Sequence, residues 1–385
     1  MRILQTSDNH LGQIAYSKID PETGLNARGI DYLNAFKSVA RMALNERVDV
    51  FVIAGDLFAN SRPHPYYVLE VTRLLKRLSK AGVMTLIVSG NRDTPNTPSG
   101  LNPLTILSEI ENVFVATEPS TFIQGSYDFV CVPAPMKFDE VGSKFPALLD
   151  LALEKSTSDK KILVAHVPIE GAQPGSEQLI EPFGGGYVKP SQIPEKFSYV
   201  ALGHIHKFQQ IENVLPIFYC GSSERFDFGE ERDDKYALLV ELEEGIKVKP
   251  VRLPIRKMMT VIDFDCSGSS GSKIEKFVLD SIEIRGKELR KALIRIKLEN
   301  IDIHENNAIK WEPIIEKLEE RKVFDYKIQA RTIVSLPESS KLGEHYILPP
   351  AKELEIYVKG KRKYANNAKA LIKLGSEIIR RATKQ

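Results

Sequence analysis

Short apolar runs alternate with stretches of helical periodicity over the first ninety residues. One run, 50–54, closes on Gly55-Asp56, and another, 84–88, closes on Ser89-Gly90-Asn91. Uninterrupted apolar runs of this length are typical of strands buried on both faces of a parallel sheet. Apolar residues recur at helical spacing over 33–44 and 68–78, and the chain opens with a strand-like segment at Ile3-Leu4. This β-α-β-α-β order predicts a parallel sheet with crossover helices.

Strand-like segments dominate the chain from residue 113 to residue 253. The candidates are 127–132, 161–167, 199–202, 217–220 and 236–242. A second sheet packed on the first would bury this many apolar strands. We therefore expect this part of the chain to form a second sheet that is stacked on the first.

The remainder of the chain predicts a smaller unit and a tail. A strand at 259–264 precedes a Ser/Gly stretch, 267–272, which we expect to be a mobile loop before a helix. Strands at 293–298 and 325–335 flank a helix around 313–321, and a proline-bearing linker covers 337–350. The predicted parts are a main domain over 1–255, a smaller α+β domain over 256–342, and a linker with a basic amphipathic tail over 343–385.

Composition excludes several classes of protein. The chain of 385 residues is 42% apolar and 27% charged, which excludes a wholly disordered chain, a collagen-like chain and a disulfide scaffold. No apolar run approaches the ~20 residues needed to cross a bilayer. Cys131, Cys220 and Cys266 are far apart in the chain and form no C-x-x-C pair, so we expect buried thiols in a reducing compartment. The sequence predicts a cytoplasmic protein with no membrane role.

Charge is distributed unevenly. The net charge is only +2, yet from residue 351 onward there are ten Lys/Arg against three Asp/Glu. Within this tail, apolar residues recur on one helical face, at Ala368, Leu371, Ile372, Ile378 and Ile379. Two interpretations stay open: a solvated helix that folds on its own domain, or a helix that docks on a partner.

Side chains that bind metals follow predicted strands in five places. These places are Asp8-Asn9-His10, Gly55-Asp56, Gly90-Asn91-Arg92-Asp93, Ala165-His166 and Gly203-His204-Ile205-His206. Open α/β sheets place their ligand sites at the carboxyl ends of strands. Each segment by itself is ordinary, since a lone histidine is more often a core residue than a ligand. Together they supply imidazole, carboxylate and amide donors for two metals, a set that suits Mn²⁺, Fe²⁺ or Zn²⁺.

The ordered set D-x-H, G-D, G-N-x-D, H and G-H-x-H resembles the calcineurin-type metallophosphoesterase superfamily. Within it, three segments resemble the DNA double-strand-break repair nucleases of the SbcD type, and the archaeal branch most of all. The segments are Asp8-Asn9-His10-Leu11-Gly12, Gly55-Asp56-Leu57-Phe58 with Ser61-Arg62-Pro63, and Ala201-Leu202-Gly203-His204-Ile205-His206-Lys207. The stretch from Gly221-Ser222 through Arg225-Phe226-Asp227-Phe228-Gly229-Glu230-Glu231 is similar to one that follows G-H-x-H in that group. The resemblance covers about residues 1–255.

The resemblance implies a fold and a set of partners. It implies a four-layered α/β/β/α sandwich with a smaller α+β cap domain that contacts DNA, followed by a C-terminal helical tail. It also implies a homodimer through helices of the first domain. The tail would bind the coiled-coil base of an ABC-type ATPase, and the substrate would be DNA ends, with Mn²⁺-dependent exonuclease and endonuclease activities.

The resemblance also implies a ligand set. One cation would be held by Asp8, His10, Asp56 and His206, and a second by Asp56, Asn91, His166 and His204, with Asp56 as the bridge. The expected cations are two Mn²⁺, with Fe²⁺ or Zn²⁺ as alternatives. The implied chemistry is two-metal phosphodiester hydrolysis, in which the cations lower the pKa of a water and neutralise charge on the attacked phosphate.

Two positions depart from the family pattern. The family signature is G-N-H-D, whereas Arg92 stands in place of its catalytic histidine, and a second family histidine is replaced by Ala59. Arginine can bind a phosphate but cannot donate a proton near neutral pH. We therefore expect weakened or absent cleavage, because Arg92 and Ala59 replace histidines. Arg92 and Asp93 occupy the expected catalytic positions, with Asp93 orienting a ligand or loop. His64 could substitute for the missing imidazole, although starting a helix at Pro65 is the simpler role.

Three functions remain open at this point. The first is a DNA nuclease subunit that works with an ATPase. The second is a metal-bound DNA-end-binding scaffold that cleaves weakly or not at all. The third, a phosphatase or cyclic-nucleotide phosphodiesterase on the same fold, is disfavoured by the cap domain and the basic tail, which a small-substrate enzyme does not need.

Overall fold

The computed structural model describes residues 1–95, 97, 100–137, 140–175, 186–243, 245–333, 350–360 and 367–382. The strands are β1 (Arg2–Thr6), β2 (Val50–Ala54), β3 (Met84–Val88), β4 (Val113–Ala116), β5 (Ser120–Gln124), β6 (Tyr127–Val132), β7 (Lys160–His166), β8 (Phe197–Gly203), β9 (Gln209–Ile211), β10 (Ile217–Tyr219), β11 (Tyr236–Glu241), β12 (Lys247–Arg252), β13 (Met258–Asp265), β14 (Leu293–Asp302) and β15 (Asp325–Ile333). The helices are α1 (Ala27–Asn45), α2 (Pro65–Lys80), α3 (Val141–Leu153), α4 (Gly271–Arg285), α5 (Ile303–Ala308), α6 (Trp311–Glu320), α7 (Pro350–Gly360) and α8 (Ala368–Ala382).

The first sheet has the strand order β12-β11-β1-β2-β3-β4. Strands β1 to β4 run parallel, which confirms the predicted β-α-β-α-β unit. Strand β11 pairs antiparallel with β1, with Ile3 opposite Val240. The sequence had assigned residues 236–242 to the second sheet, and that assignment is wrong. An apolar run fixes burial but carries no information about which sheet edge it will pair with.

The second sheet has the strand order β5-β6-β7-β8-β10-β9. Strands β6, β7, β8 and β10 are parallel, and the edge strands β5 and β9 are antiparallel to their neighbours. Four predicted segments, 127–132, 161–167, 199–202 and 217–220, form strands here, as expected. Helix α3, which the sequence did not predict, crosses between the parallel strands β6 and β7, because such strands need a long connection. Pro146 lies within this helix.

Three apolar layers hold the two sheets and their helices together. Alternate residues of each strand point to opposite faces, so that Ile3 lies between the sheets while Leu4 lies against the outer helices. Helices α1 and α2 cover the outer face of the first sheet through Phe36 and Leu75. Helix α3 covers the outer face of the second sheet through Phe145. The result is the α/β/β/α sandwich that the sequence resemblance implied.

A third sheet, with the order β13-β14-β15, carries its own core. Strands β13 and β14 are parallel and are joined by α4, while α6 packs beside α4. The core contains Ile274, Val278, Ile294 and Ile314, all fully buried, and the only tryptophan of the sequence, Trp311, packs against it. These elements form the predicted α+β unit. The Ser/Gly stretch at 267–272 ends inside α4, whose first residue is Gly271.

Contacts divide the chain into two compact units, Met1–Thr332 and Ile333–Gln385. The domain boundaries at 255 and 342 therefore stay predictions, and most of the predicted linker, 337–349, lies outside the described residues. In the second unit α8 packs against α7, where a Cβ at Gly375 would overlap the Leu354 side chain. Leu371, Leu374 and Ile378 of α8 are exposed. None of the helices in the described part of the chain is long and apolar enough to cross a membrane.

Candidate metal centre

The carboxyl ends of strands from both sheets meet at one edge of the sandwich. The loops that follow β1 and β2 are joined there, because the Asp8 N–H donates to the Gly55 carbonyl and the His10 N–H donates to the Asp56 carbonyl, each at 3.0 Å. From the second sheet, the backbone N–H of His204 donates to both carboxylate oxygens of Asp8 at 3.1 Å. The edge therefore gathers residues that lie about two hundred positions apart in sequence.

Four of the predicted ligands have unusual backbone conformations. Asp8, His10 and Asp56 have φ values of 50°, 43° and 50°, and His204 has a φ of 103°. Non-glycine residues seldom adopt positive φ, and such strain is concentrated at functional sites. Asp8 and Asp56 lie two residues after β1 and β2, and His204 follows β8 directly, so these positive φ values occur where the strands end.

The first group of candidate ligands contains Asp8, His10 and His206, whose donor atoms all lie within 4.8 Å of one another. The Nε2 atoms of His10 and His206 are 3.2 Å apart. The His10 Nε2 also lies 3.7 Å from Asp56 Oδ2. All four side chains are buried.

The second group contains Asp8, Asp56 and His166, again within 4.8 Å. His166 Nε2 lies 3.6 Å from Asp56 Oδ2 and 2.9 Å from the side-chain oxygen of Asn91. Its Nδ1 lies 3.0 Å from the Ala54 carbonyl, which fixes the ring orientation. The ring of His204 meets that of His166 edge-on with centroids 5.4 Å apart. The structure thus brings all seven predicted ligands to one edge. Asp8 belongs to both groups, and Asp56 Oδ2 lies within 3.7 Å of one histidine of each.

Glycine is required where backbones approach these ligands. A Cβ at Gly90 would overlap Oδ1 and the backbone nitrogen of Asp56, and a Cβ at Gly55 would overlap the His166 imidazole. Gly55 also has a φ of 91°. Both glycines let the side chains of candidate ligands pack against backbone that carries no Cβ.

Burial controls the charge of the site. Burial raises the pKa of Asp56 well above its usual range, and the neighbouring Asp8 carboxylate raises it further. Burial lowers the pKa of His10 and His204, and the adjacent imidazoles and the charge of Arg92 lower it further. Neutral imidazoles beside two close carboxylates suit a divalent cation, because the cation offsets the repulsion between Asp8 and Asp56.

Arg92 and Asp93 lie beside this centre, in the loop after β3. The backbone N–H of Arg92 donates to Asp56 Oδ1 at 2.8 Å. The Asp93 carboxylate is fully buried and accepts from the backbone N–H groups of Leu57, Phe58 and Gly90 at 3.2, 2.9 and 3.1 Å. Burial and the Asp56 carboxylate raise the pKa of Asp93 to about 7. Asp93 therefore ties together the loops that follow β2 and β3.

His64 and Ala59, the two other positions connected with the missing imidazole, have structural roles in the fold. His64 is exposed and caps α2, where its Nδ1 accepts from the Tyr66 N–H at 3.2 Å. This confirms the simpler of its two predicted roles. Ala59 donates its N–H to the Leu11 carbonyl at 3.1 Å, in the bridge between the first two loops.

Three neighbours of the centre were not identified from the sequence. The Phe226 ring lies 4.4 Å from that of His206 and 4.7 Å from that of His10, centroid to centroid. Glu230 Oε1 lies 3.5 Å from His206 Nδ1, and Lys235 pairs with Glu230. The stretch from Gly221 to Glu231 carried a family resemblance, but no local pattern indicated which atoms it would contact.

The donor geometry fits bound cations. Ligand atoms at metal bonds of about 2.1 Å and near-right angles lie about 3 Å apart. The two imidazole nitrogens, 3.2 Å apart, are close to this spacing, and Asp56 Oδ2 lies somewhat farther, at 3.6 and 3.7 Å, from its two histidine neighbours. The residues present can therefore accommodate the dinuclear centre.

Comparison with known proteins agrees with this geometry. The DNA double-strand break repair protein Mre11 of Saccharolobus solfataricus is 26% identical over 314 residues, which cover 76% of this chain and 77% of the relative. That of Sulfurisphaera tokodaii is 26% identical over 353 residues, covering 86% and 84%. A component of the nuclease SbcCD of Bacillus subtilis is 28% identical over 270 residues, covering 64% and 67%.

The model of one protein family, the calcineurin-like phosphoesterases, matches residues 1–208. This match covers more than half of the 385 residues and includes each of the seven candidate ligands. The chain belongs to the calcineurin-like phosphoesterase family.

Proposed function

We propose that this chain is the nuclease subunit of a DNA double-strand-break repair system and hydrolyses phosphodiester bonds at DNA ends with two divalent cations. The observation that carries the proposal is the position of Asp56 Oδ2, which lies 3.7 Å from His10 Nε2 and 3.6 Å from His166 Nε2. A single carboxylate oxygen between two imidazoles is suited to bridging two cations.

The ligand set follows from the two groups of donors. Asp8, His10, Asp56 and His206 would hold one cation. Asp56, Asn91, His166 and His204 would hold the other. Two Mn²⁺ ions are proposed, because a mixture of imidazole, carboxylate and amide oxygen suits Mn²⁺ well, and the same donors also accept Fe²⁺ or Zn²⁺.

Cations bound here would polarise the phosphodiester and supply a water of lowered pKa. The chain's own residues orient that chemistry. The backbone N–H of Arg92 donates to one carboxylate oxygen of Asp56 at 2.8 Å, which leaves the second oxygen directed toward His10 and His166. In the same way, the backbone N–H of His204 donates to both carboxylate oxygens of Asp8. Both carboxylates are thus fixed before a substrate arrives.

Arg92 limits the rate in this proposal. Its guanidinium offers a fixed positive charge and fork-like donors for a phosphate oxygen, but it retains its proton at neutral pH. Proton donation to the leaving oxygen contributes typically about 10²–10⁴ in rate. The proposed activity is therefore attenuated relative to a chain with histidine at this position.

The same residue supports a second candidate, a metal-bound scaffold that holds DNA ends without cleaving them. Arg92 acts on the centre electrostatically: after burial and the neighbouring imidazoles, its charge further lowers the pKa of His10 and His204, and it opposes the rise that burial and Asp8 impose on the pKa of Asp56. A charge at that place binds the phosphate of an intact strand as well as that of a reacting one.

Asp93 acts as a positioning residue in this proposal. Its carboxylate accepts hydrogen bonds from the backbone of Leu57, Phe58 and Gly90. These bonds hold the loops that present Asp56 and Asn91. Asp93 thereby sets the distance between the two candidate cation sites.

The proposed partners are DNA ends, a second copy of this chain and an ABC-type coiled-coil ATPase. Two relatives are named as a DNA double-strand break repair protein and as a subunit of a nuclease, which supports DNA ends and a further subunit as partners. Helix α8 supports binding of the tail to the ATPase, because its apolar residues Leu371, Leu374 and Ile378 are exposed in a segment rich in basic residues. The dimer rests on the sequence resemblance.

Labelled linear duplex DNA, incubated with the full chain and Mn²⁺, tests the proposal with and without the ATPase. Mn²⁺-dependent shortening of the duplex is the expected result, and Asp56→Asn is expected to abolish it. Binding of DNA ends without any cleavage would select the scaffold. Turnover of small phosphodiesters without affinity for DNA would overturn both and select a small-substrate phosphoesterase.

A further inference from the structure

The structure assigns a positioning role to Glu230: we propose that this carboxylate, held by Lys235, fixes the His206 ring so that its Nε2 faces the candidate cation site. This inference rests on the proposed metal centre and concerns residues to which the family pattern of ligands gives no role. Glu230 lies in the stretch after the G-H-x-H motif, in the short 3-10 turn Phe228–Glu230.

The first step is the geometry of the His206 ring. Its Nε2 lies 3.2 Å from the Nε2 of His10, and its Nδ1 lies 3.5 Å from Oε1 of Glu230. The two ring nitrogens of His206 thus face different partners. A carboxylate at Nδ1 selects the tautomer with the proton on Nδ1, which leaves the Nε2 lone pair for a cation.

The second step is the immobility of Glu230. Its Oε2 accepts from the backbone N–H of Phe226 at 3.1 Å and pairs with Lys235 Nζ at 2.8 Å. Both Glu230 and Lys235 are 1% exposed. A charged pair this deeply buried is costly unless its hydrogen-bonding capacity is used, so its position is well determined.

The third step is that Lys235 also forms a hydrogen bond with the backbone of His206. Its Nζ donates to the His206 carbonyl at 2.9 Å and to Ser222 Oγ at 2.8 Å. The Ser222 N–H also donates to the His206 carbonyl, at 3.0 Å. His206 is therefore fixed at both ends, with its carbonyl held by Lys235 and its ring nitrogen facing the carboxylate that Lys235 holds.

The fourth step is that one face of the ring is packed. Phe226 lies against His206 with ring centroids 4.4 Å apart and an interplanar angle of 32°. Because the Phe226 N–H also donates to Glu230, the same turn supplies both the carboxylate and the apolar wall. Rotation of the imidazole out of the site would break these contacts together.

The test measures Mn²⁺ binding to the full chain by calorimetry, and the tautomer of His206 by ¹⁵N NMR. The variant is Glu230→Leu combined with Lys235→Met, which removes both buried charges and avoids leaving either unpaired. We expect one of the two Mn²⁺ sites to weaken by about 10–100-fold, the usual effect of removing the outer partner that orients a metal-ligating histidine. The other site is expected to retain its affinity.

The matched control is Glu231→Gln. Glu231 is the next carboxylate in the chain, but its Oε2 accepts from the backbone nitrogen of Thr260 of β13 at 2.9 Å rather than facing His206. This variant is expected to bind both cations as the unaltered chain does. Equal Mn²⁺ affinities in the double variant and the unaltered chain would overturn the positioning role while leaving the metal centre intact.

The NMR measurement uses the unaltered chain without metal, so it does not depend on the double variant. The metal-free chain is expected to carry the His206 ring proton on Nδ1, and a proton on Nε2 would overturn the inference even if the double variant fails to fold. Failure of the unaltered chain to bind Mn²⁺ would refute the proposed function, and the tautomer would then still decide the role of Glu230.

Discussion

The Asp31 carboxylate accepts two hydrogen bonds of 2.6 Å from the guanidinium of Arg256, one to each oxygen. Asp31 lies on α1 of the sandwich, and Arg256 lies just before β13, where the chain enters the third sheet. The Arg256 guanidinium also stacks on the Phe324 ring at 3.5 Å, next to β15. This pair therefore anchors both the entry and the last strand of the third sheet to the sandwich.

Replacing Arg256 by lysine tests that anchor. Lysine keeps the charge but loses the two-pronged geometry and the flat stacking surface, so Arg256→Lys is expected to lower the free energy of unfolding by about 2 kcal/mol. Denaturant unfolding measures this loss, and hydrogen exchange should rise at 256–258 and 322–326. Lys257→Arg is the control, because Lys257 pairs with the exposed Glu288. An unfolding free energy equal to that of the unaltered chain would contradict the anchor.

Arg92→His tests whether arginine in place of the family's catalytic histidine slows cleavage. The variant regains an imidazole that can donate a proton near neutral pH, and its Mn²⁺-dependent nuclease rate is expected to rise at least about tenfold. Initial rates on labelled duplex DNA measure the change. Arg92→Gln is the control, since it removes the charge without supplying a proton donor and should not accelerate cleavage. An unchanged rate for Arg92→His would refute the role given to this position.

Gly90→Ala tests the close approach at Asp56. The added Cβ would overlap Asp56 Oδ1, so Asp56 must shift. We expect Mn²⁺ affinity to fall at least about tenfold and the free energy of unfolding to fall by about 2 kcal/mol, as for other overpacked sites. Gly82→Ala is the matched control: its φ is 79° but nothing lies within 4 Å of the added atom, so only stability should suffer. Full metal affinity in Gly90→Ala would show that the site tolerates the displacement.

Asp128 gives the fold a defined acid sensitivity. Burial would raise the pKa of Asp128, but hydrogen bonds from Ser158, Ser156 and Thr157 outweigh it and hold the pKa below its usual range. A carboxyl with a depressed pKa in the folded state stabilises the fold above its unfolded pKa of about 3.9, and this contribution is lost as pH falls through the folded value. Stability should therefore decline below about pH 4.

The measurement is denaturant unfolding of the unaltered chain and of Asp128→Asn between about pH 7 and pH 2. The variant is expected to be less stable at neutral pH, and the gap between the two should narrow as the medium becomes acidic. Asp263→Asn is the control, because Asp263 is an exposed carboxyl on β13. A gap that stays constant with pH would contradict the assigned cause.

Sequence patterns predicted much of the sandwich correctly. The uninterrupted apolar runs at 50–54 and 84–88 became the buried parallel strands β2 and β3, since only strands covered on both faces need no polar side. The pattern failed for β11, whose pairing with β1 depends on where the chain returns after more than two hundred residues. It also failed for α3, which contains Pro146.

The sequence by itself determined which residue types stand at the ends of strands, because hydrophobic periodicity marks the strands and the polar residues that follow them are local in the chain. Only the tertiary structure decided that Asp56 Oδ2 lies between His10 and His166, and that Glu230 and Lys235 flank His206. These distances depend on the packing of two sheets and on turns with positive φ. Both are set by contacts between residues remote in sequence, which no local pattern encodes.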